Sequence, residues 1–188
     1  MKEERIIVPT NGYIMLVVFL GLIFGIAYFT ISRALPEYLL FLPLVILIAI
    51  GFIMVQPNGS RVLLLFGKYI GTVKKNGFFW VNPFYTKKKI SLRASNFDSE
   101  RLKVNDKLGN PILISVILVW RVLETFKAAF EVDDYEHFVK VQSDAAVRKL
   151  AGLYPYDNFD DDQAEITLRS GLDSVNERLE QELQERLE

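Results

Sequence analysis

Three places in the chain offer residue types that could do chemistry. The only histidine, His137, stands beside Glu136 with Lys140 one turn on. A nucleophile needs a base at hydrogen-bond distance, and no H-E-x-x-H, nucleophile elbow or second histidine accompanies it, so His137 reads as a surface or boundary residue. Gly67-Lys68 lacks the upstream glycine of a P-loop and the Ser or Thr that follows its lysine, which removes support for a nucleotide-phosphate cradle. The run Asp157-Asn158-Phe159-Asp160-Asp161-Asp162 offers hard carboxylates to calcium. Its loop glycine is missing, however, and Leu168 stands where a bidentate Glu belongs. Aspartates ahead of a helix accept orphan N–H bonds and complement the dipole, so the run reads as a cap. Cysteine is absent, which excludes disulfides, thiolate nucleophiles and thiolate metal sites. No catalytic residue, cofactor or metal is expected.

A fourth place suits lipid. Lys74 and Lys75 precede Phe78, Phe79 and Trp80, and Lys87, Lys88 and Lys89 follow Phe84 and Tyr85. Aromatic rings favour the headgroup zone and clustered lysines attract anionic lipid, so this stretch is a candidate membrane-surface contact. The competing reading, in which the aromatics complete a sheet core, stands beside it. Net charge is -1, which leaves no global pull toward nucleic acid.

The elements that position this stretch begin with apolar runs. Residues 12–29 carry no charge and as a helix would span roughly 27 Å, close to a bilayer core of about 30 Å. Residues 38–55 are equally uncharged, with Arg33, Pro36 and Glu37 between the runs. The expectation is a transmembrane helical hairpin over 12–55, its helices at about 12–32 and 38–55, after a short tail (1–11). The connecting loop offers only Arg33, whereas Lys2 and Arg5 precede the hairpin and Arg61, Lys68, Lys74 and Lys75 follow it. That asymmetry predicts both ends on the cytoplasmic side. Gly21 and Gly25 form a small-xxx-small pair for close helix packing, with packing inside the hairpin favoured over an intermolecular contact.

After the breaker Gln56-Pro57-Asn58-Gly59, the run Arg61–Phe66 reads as a buried strand. Residues 77–85 hold Pro83 and read as irregular edge structure. Residues 89–95 and 102–105 alternate like half-buried strands, and 112–122 should pair back across the 106–111 turn as a hairpin. Helical periodicity then takes over. Phe126 and Phe130 fit a short helix, and Phe138, Val141, Ala145 and Leu150 line a helix from about Asp134. A last helix is expected from about Asp162. Its Leu172, Val175, Leu179 and Leu183 are candidate oligomer contacts, although packing on its own domain is the favoured use of that seam. Strands followed by helices make an α+β domain over 56–188. Without a stop signal in the last helix, the domain is expected to be truncated at its C-terminus.

The order of features resembles the SPFH or Band 7 superfamily of stomatin, prohibitin and flotillin relatives, in its bacterial branch with a membrane hairpin. The resemblance rests on FGKY-x-GT, G-F-x-x-x-x-P-F, KVND-x-x-GNP and V-x-x-Q-S-x-x-A-x-R, together and in order from Ile53 onward. It implies a non-enzymatic scaffold, anchored in a bacterial inner membrane, that forms homo-oligomers in full-length form. Such a scaffold organises lipid microdomains or encloses partner membrane proteins such as a protease or transporter. The alternative is an accessory subunit that regulates one such protease or transporter.

Overall fold

A computed structural model of the chain describes residues 4–32, 36–157 and 166–187. Residues 158–162 of the acidic run, and Lys2 and Arg33 of the charge asymmetry, lie outside these. The chain forms two compact units, the first from residues 1–93 and 122–131 and the second from 94–121 and 132–188.

In the first unit a short strand β1 (Thr10–Asn11) leads into helix α1 (Gly12–Ser32). The second apolar run does not form one helix. It is a 3-10 helix (Pro36–Phe41), a nine-residue helix α2 (Leu42–Ile50) and then a strand β2 (Phe52–Val55). Pro43 fits at the second position of α2, where its missing N–H would have no intrahelical partner anyway. Among the described residues α1 alone is long and apolar enough to cross a membrane, with a mean hydropathy of 2.6. Strands β3 (Gly59–Leu65), β4 (Lys68–Val73), β5 (Gly77–Trp80) and β6 (Tyr85–Ser91) follow, and helix α3 (Thr125–Phe130) completes the unit.

These strands make two antiparallel sheets, ordered β1-β5-β2 and β4-β3-β6. The first part of the stretch expected to be irregular, Gly77–Trp80, is therefore a central strand, while residues 81–84 are irregular. Pro83 falls just beyond β5, in a turn where the Asn82 side chain accepts from Phe84 N and its carbonyl from Tyr85 N, so no ladder bond is lost to it. Ile53, Val55, Leu63, Val73, Phe79 and Val81 form the core, with Ile7 and Tyr85 against it. On the other face of the second sheet, α3 buries Thr125, Ala128 and Ala129. The N-terminal stretch is stitched into the same unit. Ile7 N donates to Thr72 O at 3.0 Å and Thr72 N to Arg5 O at 2.8 Å. Glu4 accepts from Thr125 N at the start of α3, where a carboxylate complements exposed N–H groups.

The second unit has two two-stranded ladders. Strand β7 (Ser95–Asp98) pairs with β10 (Ile117–Trp120), and β8 (Leu102–Asn105) with β9 (Pro111–Ile114). The expected hairpin across 106–111 is present, but its second strand is broken. Ser99 N donates to Val116 O at 2.9 Å and Val116 N to Ser99 Oγ at 2.8 Å, and there the chain leaves one ladder for the other. Helix α4 (Tyr135–Ala151) is capped by Asp134, which accepts from Glu136 N and His137 N. Its buried seam is Val139, Ser143, Ala146, Val147 and Leu150, while Val141 is exposed. Leu150 is buried as expected, but small seam residues carry little apolar signal, so periodicity missed Ser143 and Ala146 and chose exposed Val141.

Helix α5 (Leu172–Leu187) begins ten residues later than 162. Residues 168–170 form a turn held by Thr167, whose Oγ1 accepts from Ser170 N and whose carbonyl accepts from Gly171 N. α5 packs on α4, with Glu182 bridging to Lys149 at 2.5 Å and to Arg186 at 2.6 Å. The bond from Lys149, reinforced by Arg186, holds the Glu182 carboxyl below its ordinary 4.5. A lowered folded value means the contact is complete above the ordinary pKa and is lost as pH falls through the lowered one. Glu182→Gln is therefore expected to speed amide exchange in α5 at pH 7, with a difference from the parent that shrinks below about pH 4.

Candidate membrane interface

The apolar segment is bolted to the first sheet at both ends. Strand β5 is flanked by β1, which opens α1, and by β2, which receives α2. Thr10 and Phe52 both stand opposite Trp80. The two apolar legs thus depart from and return to opposite edges of one strand. α1 packs against both the 3-10 helix and α2, so the legs run together.

An aromatic joint fixes the first leg. Phe78 stacks on Phe52 with centroids 5.3 Å apart, Tyr13 meets Phe78 edge-on at 5.4 Å, and Phe19 meets Phe52 at 5.8 Å. The first two turns of α1 therefore lie against the sheet. Residues 20–32 continue beyond it, about 20 Å of helix. On the returning leg, Trp80 Nε1 donates to Ile48 O at 2.9 Å and Val81 N to Gly51 O at 2.9 Å. The Lys87 ammonium donates to Ile50 O, at the negative end of the α2 dipole.

The candidate lipid-contacting residues consequently divide. Phe79 is a core residue, so its membrane-surface role is corrected: alternation along β5 turns it between the sheets, while Phe78 faces α1. Trp80 and Tyr85 are half-buried, one tied to α2 and the other against the core. Lys74 donates to Glu4 at 2.6 Å and to Leu123 O, and Lys88 donates to Ala129 O under α3. Lys75, Lys89 and Phe84 are exposed. Burial, with Arg61's charge adding to it, pushes the Lys87 ammonium below its usual pKa. Arg61 stands directly opposite Lys89 on the β3–β6 ladder. Sequence reasoning missed Phe52 and Tyr13 as parts of the joint, and missed Phe66, whose ring lies 6.5 Å from Phe84.

Gly21 and Gly25 line an apolar cleft of about 240 Å3 with Leu22, Phe29, Tyr38 and Phe41. A Cβ at either glycine would meet nothing within 4 Å, so they face the returning leg across a gap rather than in tight contact. In α5, Val175 and Leu183 are buried and Leu179 is half-buried, while Leu172 is exposed. Burial in their own unit removes Val175 and Leu183 from the candidate oligomer contacts. His137 is exposed on the first turn of α4. Among the described residues no group of three or more His, Asp or Glu is placed to hold a metal.

The family model of the SPFH domain, Band 7 family, matches residues 54–188. The chain belongs to that family, whose members are generally non-enzymatic, membrane-associated scaffolds. A comparison with curated proteins found no match.

Proposed function

We propose that this protein is a non-enzymatic scaffold moored in a membrane by residues 12–50, which organises lipid or encloses partner membrane proteins through lateral contacts between copies. The observation that carries this reading is the double attachment to β5. Because both apolar legs return to one strand, residues 4–11 and the sheets of the first unit stand on one face of the bilayer, however deep the tip reaches. The hairpin then works as a mooring whose position is transmitted directly into the sheet. The excess of basic residues on that side, Arg5, Arg61, Lys68 and Lys75, supports a cytoplasmic face at a bacterial inner membrane.

Lateral contact falls to surfaces left open within each unit, among them Leu172 and the charged face of α5. An accessory subunit of one membrane protease or transporter is the competing arrangement. Mild detergent extraction and particle-mass measurement separate the two: large particles of this chain alone are expected, and a stoichiometric complex with one other protein would defeat the scaffold reading. Topology is checked with an impermeant thiol reagent on intact cells. Cysteine at Lys75 should stay unlabelled until the cells are opened, and labelling beforehand would reverse the orientation.

A further inference from the structure

The turn between β3 and β4 carries a residue that folding does not ask for. Leu65 pairs with Lys68, leaving Phe66 and Gly67 as a two-residue loop with φ of 48° and 82°. Two positive φ values define a type I′ turn, whose first central position favours Asn, Asp or Gly because their side chains tolerate the left-handed region. A phenylalanine there is strained by comparison. Its ring is not buried in return: Phe66 is 87% exposed and its neighbour Phe84 is 57% exposed. Two adjacent rings at a strand tip, in water, also cost solubility.

Their height relative to the apolar legs supplies the reason. The β3–β6 ladder climbs toward the foot of α2. Arg61 donates to Met54 O, and Lys87, which stands opposite Leu63, donates to Ile50 O. Past that rung the ladder continues to Leu65 opposite Tyr85, about 7 Å farther at ~3.3 Å per residue, and then reaches Phe66 and Phe84. The rings thus lie past the rung that reaches the end of α2, with exposed Ile50 and Met54 before them. Below them Arg61, Lys87 and Lys89 gather on one face. Among the described residues none of the three has a carboxylate partner. Arg61 and Lys89 also border a pocket of about 170 Å3 with Gly59 and Ser60.

We propose that the β3–β4 turn is a second, strand-borne lipid contact. Phe66 and Phe84 enter the headgroup–acyl boundary of an anionic leaflet, and Arg61, Lys87 and Lys89 lie at the depth of its phosphates. Apolar rings gain burial there, and an anion between Arg61 and Lys87 relieves their mutual repulsion. The turn also gives the first unit a second attachment besides the helices, which resists tilting of the sheet about its hairpin. This contact rests on the reading of residues 12–50 as membrane-embedded.

The chain contains no cysteine, so single thiols report cleanly. Cysteines at Phe66, Phe84, Gln56 and Ile23 would carry an environment-sensitive fluorophore in phosphatidylcholine vesicles containing one quarter phosphatidylglycerol, with lipids spin-labelled at shallow or deep positions as quenchers. The labels at 66 and 84 are expected to shift to the blue and to be quenched by the shallow spin label, that at 23 by the deep one, and that at 56 by neither. Labels at 66 and 84 that behave like 56 while 23 is deeply quenched would overturn the turn's role and leave the mooring intact. An unquenched label at 23 would sink both. Omitting phosphatidylglycerol should weaken quenching at 66, and an unchanged signal would remove the preference for an anionic leaflet from the proposal. Phe66→Asn guards against misfolding as the cause, since it suits the turn and should melt no lower than the parent.

Discussion

Asp106→Ala is expected to lower the melting temperature of the detergent-solubilised chain by on the order of 10 °C. Asp106 is buried, and its carboxylate organises the turn between β8 and β9. One oxygen accepts from Leu108 N at 2.9 Å and Asn110 N at 2.7 Å, the other from Asn110 Nδ2 and Tyr156 N, both at 3.0 Å. The contact to Tyr156 ties the turn to the segment after α4, with Lys107 N donating to Tyr154 O beside it. Alanine strands all these donors at once, whereas Asp106→Asn keeps one acceptor oxygen and should lose roughly half as much. Burial alone would raise the carboxyl's pKa and is the largest single influence. The bonds from Tyr156, Asn110 and Leu108 together outweigh it and hold the value below the ordinary 3.8. A depressed folded pKa gives stability that is full above the unfolded value and is lost as pH falls through the folded one. The gap between parent and Asp106→Asn should therefore be constant from about pH 7 to 5 and close below about pH 4. A gap that persists at lower pH would place the effect in packing rather than charge.

What the sequence made legible, and what it did not, follows from the range of the forces involved. The turn at 106–111 was plain because Asp, Gly109 with its φ of 86° and Pro111 act within a few residues. Strand β3 was legible from its apolar run, and the SPFH domain from motifs in order. The second apolar run misled because hydropathy registers apolar content, not conformation: Phe52–Val55 is as apolar as a membrane helix yet pairs with β5. Its fate was decided by the edge of a strand some twenty-five residues away, which no local window contains. Phe79 and Phe78 differ only in which face of β5 they occupy, so a cluster of aromatics could not say which ring meets α1 and which fills the core. The role of Glu4, which reaches Lys74 and Thr125, is invisible for the same reason.

The sharpest test of the mooring is Gly51→Ala, expected to destabilise the first unit by about 2–3 kcal/mol. Gly51 lies between α2 and β2 with φ of -70°, a conformation alanine adopts freely, so the backbone itself raises no objection. Space does. A Cβ there would collide with the indole of Trp80, and it would sit 2.6 Å from Val81 O. The indole cannot simply swing aside, because its N–H holds Ile48 O, and Val81 is pinned by its own bond to Gly51 O. The chain must therefore loosen where the returning leg meets the sheet. Gly21→Ala is the matched control. It adds the same methyl to a glycine in the apolar segment, but into open space, and it should be neutral or up to about 1 kcal/mol stabilising through helix propensity. Thermal unfolding in detergent, read by near-ultraviolet circular dichroism of the aromatic joint, should order the proteins Gly51→Ala, parent, Gly21→Ala. Trp80→Leu combined with Gly51→Ala should recover part of the loss, since the smaller side chain vacates the space the methyl needs. If Gly21→Ala proves the more damaging change, and only at concentrations where copies associate, that glycine belongs to a contact between protomers and the cleft it lines is filled by a neighbouring helix.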